Sequence, residues 1–168
     1  KMAVSNAGLL KDIHSKNGAL PPNSNVADFT AVIKGFENHK LLIRQIPWPV
    51  LATGEAMEVP GPMGVVFWQP TQAKTNQQGA FVLMETVNGM VDNMLIALLL
   101  QGGTFDMIAY EGTDEVFTRA KRYHKCSLSA EPVDRDWESR QQPMQINGTL
   151  FYHYYGDDID GNTERLSG

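Results

Sequence analysis

The side chains that most often do chemistry are thinly spread along this chain. Its four histidines, His14, His39, His124 and His153, form no HxxxH or HExxH pattern, so no helical zinc pair is read. Cys126 is the only cysteine; it rules out an internal disulfide and reads as a packed thiol inside a strand. Glu131, Asp134, Asp136 and Glu138 lie close together and could form the carboxylate pair of a glycosidase. Arg135 and Arg140 are interspersed among them, and the plainer reading is a charged, solvated connector. GDDIDGNTE at 156–164 has the texture of a calcium loop. Placing Gly161 at the turn puts Gly156 and Ser167 where acidic ligands are required, so it reads as a solvated tail. No GxSxG, GxGxxG or GxxxxGK[ST] motif occurs, and Gly102-Gly103 follows a helix instead of opening one. The expectation is a non-enzymatic chain with no cofactor and no metal.

Composition agrees with a folded domain. The chain has 168 residues, 42% hydrophobic and 20% charged, with a net charge of −5. That length buries a core of its own. The acidic balance opposes a protein that grips nucleic acid through clustered Lys and Arg. The longest apolar run, MLIALLL at 94–100, is far below the ~20 residues of a membrane span. No secretory leader is read, and the Asn147-Gly148-Thr149 sequon is a triplet common by chance.

The elements that would hold these residues are mainly strands. Residues 1–25 read as a small, polar arm with at most one or two helical turns in LLKDIHS. VADFTAVIK at 26–34 alternates, and with LLIRQI at 41–46 across GFENHK it predicts a hairpin. Residues 47–79 are punctuated by Pro47, Pro49, Pro60 and Pro62. They read as a long functional loop that holds VVFW at 65–68 and ends in a flexible PTQAKTNQQG tip. AFVLMET at 80–86 is a strand. Val87, Met90, Val91, Met94, Leu95 and Leu98 then mark one helix over 87–101, with Thr86 as N-cap and Gly102 as stop. FDMIAYE at 105–111 is another strand. Two long strands close the chain, at 116–128 and 144–155, joined by the acidic connector AEPVDRDWESRQQP. The second has no Asp, Glu, Lys or Arg, yet offers polar and apolar groups on both faces, so both faces need neighbours.

This order resembles the tail tube proteins of tailed bacteriophages, especially contractile ones. VADFTAVIKGFENHKLLIRQIPWPV is similar to the family's first strand pair and proline-marked loop. PMGVVFWQPTQAKTNQQGAFVLMETVNGMVDNMLIAL resembles its long hairpin, next strand and single helix, and RYHKCSLSAEPVDRDWESRQQPMQINGTLFYHYY its closing pair. The resemblance spans about 26–156, with the arm at 1–25 and an acidic tail at 157–168 as departures. It implies a mainly β (α+β) fold, an antiparallel sandwich or barrel with one flanking helix, whose strands join a ring-shaped inner barrel on hexamerisation. It implies stacked sixfold rings that conduct DNA during ejection, with a tape-measure protein as earlier cargo and tail sheath and baseplate or tip proteins as partners. The place implied is the virion tail, assembled in the host bacterial cytoplasm, with no membrane insertion. Trp48, Met57, Val66, Trp68, Gln72 and Lys74 are the expected contacts between subunits or rings, and Asp134, Asp136 and Glu138 the expected acids of the lumen or rim. Two other readings stand beside it: a tube ring of a contractile secretion system, and a β-sandwich carbohydrate module using Trp48, Trp68 and Trp137 as stacking platforms.

Overall fold

The computed structural model describes residues 6–162. Along them run α1 (Ala7–Gly18), β1 (Thr30–Ile33), β2 (Ile43–Gln45), β3 (Met57–Pro60), β4 (Val66–Gln69), β5 (Asn76–Met84), α2 (Met90–Leu100), β6 (Phe105–Gly112), β7 (Phe117–Ala130), β8 (Gln145–His153) and β9 (Asp158–Asp160). Seven strands form one antiparallel sheet in the order β1-β6-β7-β8-β5-β2, with β9 also on β7. Among the described residues β3 and β4 pair only with each other. The expected α+β class holds, and the sheet is open in the single chain.

β7 belongs to two half-sheets. Its first half pairs with β6 on one edge, Ile108 opposite Arg122, and with β9 on the other, Ala120 opposite Ile159. Its second half pairs with β8, Ser127 opposite Phe151 and Ala130 opposite Gly148. Between the halves Lys125 takes φ 46° and the register slips. A bulge of this kind bends a strand and increases its twist. The first half-sheet is therefore β1, β6, early β7 and β9; the second is late β7, β8, β5 and β2. Alternate side chains of both enter one core: Ala31, Ile33 and Met107 from the first, Phe81, Leu83 and Leu150 from the second.

α2 adds Val91, Met94 and Leu98 to that core. Its first amides are satisfied from outside the helix. The Glu85 carboxylate accepts from the amides of Val91 (3.1 Å) and Asp92 (3.0 Å), and the Thr86 hydroxyl from that of Met90 (3.2 Å). Gly102, at φ 103°, lets the Gly103 amide reach back to the Leu98 carbonyl and stop the helix.

Several expectations need correction. Residues 26–46 form no hairpin: β1 pairs with β6 and β2 with β5, because Glu37–Leu42 winds into a 3-10 segment that carries the chain across the core. The N-terminal arm holds a 12-residue helix, not one or two turns, with Asn6 capping the Leu9 amide. The helix after β5 begins at Met90, leaving Val87 fully exposed, because Gly89 takes a left-handed conformation first. NQQG belongs to β5, not to a flexible tip. The start of the supposed solvated tail is β9, held by Tyr154 donating to Asp158 (2.5 Å). Residues 1–5 of the arm and 163–168 of the tail lie outside the described residues.

Burial sets the titration of the core. It pushes the Cys126 thiol up to about 12, so the thiol is uncharged at neutral pH. Burial also raises Tyr123 and Tyr152, whose rings stack at 4.8 Å, and it raises Tyr154 to about 12, helped by the hydrogen bond to Asp158. A phenol raised in the folded state contributes stability below pH 10, where both states are neutral. That stability is lost as pH climbs from 10 towards 12, where only the unfolded chain ionises. Lys121, lowered by desolvation, acts in the opposite sense but is one group against four, since the raised Cys126 thiol shares the sense of the three phenols. We predict that the urea midpoint falls steeply between pH 10 and 11.5. A midpoint that is flat across this range would contradict the buried-phenol account.

Candidate self-assembly surfaces

A long arm leaves the sheet between β2 and β5, and its root is fixed to the core. The Pro47 carbonyl accepts from the Tyr123 hydroxyl, and the Pro49 carbonyl from the Lys121 ammonium at 2.8 Å. That ammonium is buried, 5.3 Å from the Trp48 ring and 5.1 Å from the Tyr154 ring, so aromatic faces replace part of its lost hydration. Gln77 donates to the Val50 carbonyl at 2.8 Å. Gly79 of β5 lies directly under Pro47: a Cβ there would overlap Pro47 Cβ and lie 2.9 Å from its Cγ. Only glycine allows so close an approach.

Beyond the root the two chain segments run as a ladder. Lys74 N donates to Ala52 O (2.9 Å), Gly54 N to Gln72 O (3.0 Å), and Thr53 bridges Ala73. β3 and β4 continue the ladder to a tip at 61–65, closed by Gly61 N donating to Val65 O at 2.6 Å. None of these strand residues is buried. Trp68 is 66% exposed, Phe67 50% and Met57 50%, and Met63 at the tip is fully exposed. A free two-stranded hairpin is marginal in water. An apolar one tied to the core at its root is a candidate interaction surface.

The second half-sheet is the other candidate. One edge is β2. The other is β7 past Cys126, because β6 stops pairing at Phe105–Cys126. Glu131 N donates to Asn147 O (2.9 Å), so by alternation the Ala130 amide points away from β8, to the side where no strand among the described residues pairs with it. Side chains on the side away from the core include Ser127, Ser129, Asn147, Thr149, Phe151 and Gln78. β2, β5, β8 and residues 127–130 together carry one permanently charged residue, Arg44, and no carboxylate, although 20% of the chain is charged. Soluble faces are ordinarily a quarter or more charged.

The expected contact residues divide among these parts. Met57, Val66 and Trp68 are on the arm, Gln72 and Lys74 on its ladder, and Trp48 at the root, half-buried beneath Arg119 (5.5 Å). Asp134, Asp136 and Glu138 are exposed in the connector, which is anchored by Val133 on the core. The arm leaves where Asn76 faces His153, and the connector where Met84 faces Gln145, eight residues further on, about 27 Å away at ~3.4 Å per residue. The structure therefore does not bring the two groups together. The sequence reading missed Val59, Met63 and Phe67 on the arm, and the close approach at Gly79. The alternation of MEVP and VFWQ about GPMG was the available signal.

No protein-family model matches this chain, and no curated protein sequence does. Solved structures do. A chain of the sheath–tube complex of the extracellular contractile injection system PVC, in the extended state, aligns with TM-score 0.61 at 14% identity, covering 87% of this chain and 97% of that one. The tube-terminating cap of the anti-feeding prophage aligns at 0.56 and 13%, covering 85% and 95%. The sixfold-symmetrised baseplate of the same particle contains a chain that aligns at 0.54 and 11%, covering 84% and 98%.

The root generates a direct test. Gly79→Ala forces Pro47 away from β5, and overpacking of this kind costs about 1–3 kcal/mol. We expect a lower urea midpoint with an unchanged m-value. Ala80→Gly, one position along on the opposite face, should lose less; equal losses would mean that the contact with Pro47 is unimportant. With its open half-sheet and its arm anchored at the root, the chain has the fold of components of contractile injection systems.

Proposed function

We propose that this chain is the structural subunit of a contractile-type tail tube, whose copies join side by side into rings and stack into a conduit. The observation that carries this reading is the second half-sheet, open at β2 and at residues 127–130 and nearly free of charge on its outer face. Open edges template pairing with another chain, and a head-to-tail pairing that closes gives a ring without edges. Sixfold closure is the number in the symmetrised baseplate to which the fold is similar. The outer face then becomes the bore, and the arm and the connector, at opposite ends of β5 and β8, face successive rings. Sheath, baseplate and tape-measure proteins are the partners this role implies, and a tail particle is its location.

DNA is the cargo of the phage version of this reading. The bore wall would offer it hydroxyls and amides, and repulsion of phosphate would fall to the rim, where Asp134, Asp136 and Glu138 are exposed. A tube ring of an extracellular injection or secretion machine is the second reading, favoured by the PVC and anti-feeding prophage likenesses.

Two experiments test the role. Ala130→Pro removes the amide that points into the open edge while sparing the ladder to β8. The variant should keep wild-type far-ultraviolet circular dichroism and fail to form rings in negative-stain images. Rings of normal yield would exclude this edge. Reversing Asp134 and Asp136 to Lys should make assembled tubes retain duplex DNA at 50 mM salt and release it at 300 mM. Tubes that ignore DNA at both salts would show that these acids guard no channel mouth.

A further inference from the structure

α1 carries an apolar stripe that its own chain leaves uncovered among the described residues. None of its residues is buried, and Leu9, Leu10 and Ile13 are each about half exposed. At positions i, i+1 and i+4 they share one side of the helix. Asp12 and Lys16, paired at 2.8 Å, border that side. A helix of 12 residues is marginal in water without a tertiary contact. A cleft lies a short way along the chain. Residues 24–30, the 3-10 segment and β2 enclose an open space of about 820 Å³, the size of a ligand site. Its wall includes Val26, Phe29, Leu41, Ile46 and Trp48, and no residue of α1. Val26 is 95% and Leu41 74% exposed, so this apolar wall also stands open to water.

We infer that α1 of one copy docks in this cleft of a neighbouring copy, setting Leu9, Leu10 and Ile13 against Val26, Phe29 and Leu41. The spacer opposes docking within one chain. Only residues 19–23 separate α1 from Ser24, where the wall of the cleft begins, and Pro21 and Pro22 are two of these five. Proline fixes φ near −65° and favours an extended chain of ~3.1 Å per residue. Self-docking needs the opposite, a reversal that brings the helix back over the wall from which it grows. The rim also suits the stripe in charge. Lys40 is held by Asp114 and Arg119 by Glu111, whereas Asp28 and Arg44 have no ion-pair partner among the described residues. Asp28 is the counter-charge for Lys16, and Arg44 for Asp12. Each copy gives one helix and receives one, a head-to-tail exchange that leaves nothing over when the ring closes. The inference rests on the tube reading only in needing a neighbour at hand.

The test uses the full chain with photo-crosslinking benzoylphenylalanine replacing Ile13, mixed with excess wild-type copies at a concentration where rings form. Illumination should give covalent dimers whose acceptor peptide lies within 24–30 or 41–48. An internal link to those peptides in a covalent monomer would mean self-docking and would overturn the exchange. An acceptor elsewhere, or none, would overturn the cleft as the receiver. Amide hydrogen exchange over 7–18 should slow more than tenfold when the wild-type protein assembles. Ile13→Glu on the stripe and Leu41→Glu on the wall change exposed side chains, so both variants should keep the monomer's circular dichroism and lose that protection. Protection kept in either variant would overturn the inference. Rings with α1 amides as fast as in the monomer would overturn it too, and would leave the conduit standing. Crosslinked dimers without rings would uphold the exchange and remove the tube reading. Wild-type protein that remains monomeric at every concentration would remove both.

Discussion

The bend of β7 at Lys125 is the constraint on which the rest depends. Fourteen residues of one strand serve two half-sheets, and the positive φ at a non-glycine residue is held by pairing on both sides of it. The Asp106 carboxylate accepts from the Lys125 amide at 3.2 Å, so the amide turned out of the ladder is not left unpaired. Because β7 leaves β6 at Cys126, its last residues keep a free edge, and the second half-sheet is open at both sides. The strand also supplies Tyr123 and Lys121, the two donors that tie down the arm's root. One strand therefore sets the core, the open edge and the direction of the arm.

Much of this was legible in the sequence where one period dominates. The helical stripe of Met90, Val91, Met94, Leu95 and Leu98 and the long strands at either side of the connector survive within a few residues, because burial on one face enforces them. The failures have a common cause. VADFTAVIK and LLIRQI have the alternation of a hairpin, but alternation says which face is buried and not which strand lies alongside. Their true partners, β6 and β5, are distant in sequence, and non-local pairing leaves no local mark. β9 was hidden in the same way: DID is a short triplet with two aspartates, and its strand conformation comes from β7. Gly79 was unreadable because its importance lies in Pro47 coming close above it. The arm was half visible, as a proline-marked loop with an apolar insert, and its ladder emerges only when Thr53 and Ala73 are placed together.

The distribution of charge is a second thread. The chain holds 33 charged residues, 14 basic and 19 acidic, and almost all avoid the half-sheet and the arm. They gather in the connector, on the first half-sheet and around α1. An exposed sheet face without charge is a hazard of edge-to-edge aggregation. A protein that assembles needs that same face, since carboxylates beside an open edge would repel the incoming copy. Trp48 shows the complementary choice. It has the size of an interface anchor, yet it is spent inside the subunit as a platform for Lys121 and Arg119, and the exposed aromatic role passes to Trp68 on the arm.

In the proposed tube, the lengths of the open edges would matter before assembly. β2 is three residues long and late β7 four, too short for either edge to hold a wrong partner alone. The arm is larger, but its two apolar faces point in opposite directions, so a single encounter covers only one of them. In the proposed tube, assembly would cover the arm and both open edges together, whereas a pairwise encounter would cover only one of them. In the proposed ring, that difference would favour complete assembly over any single pairwise encounter.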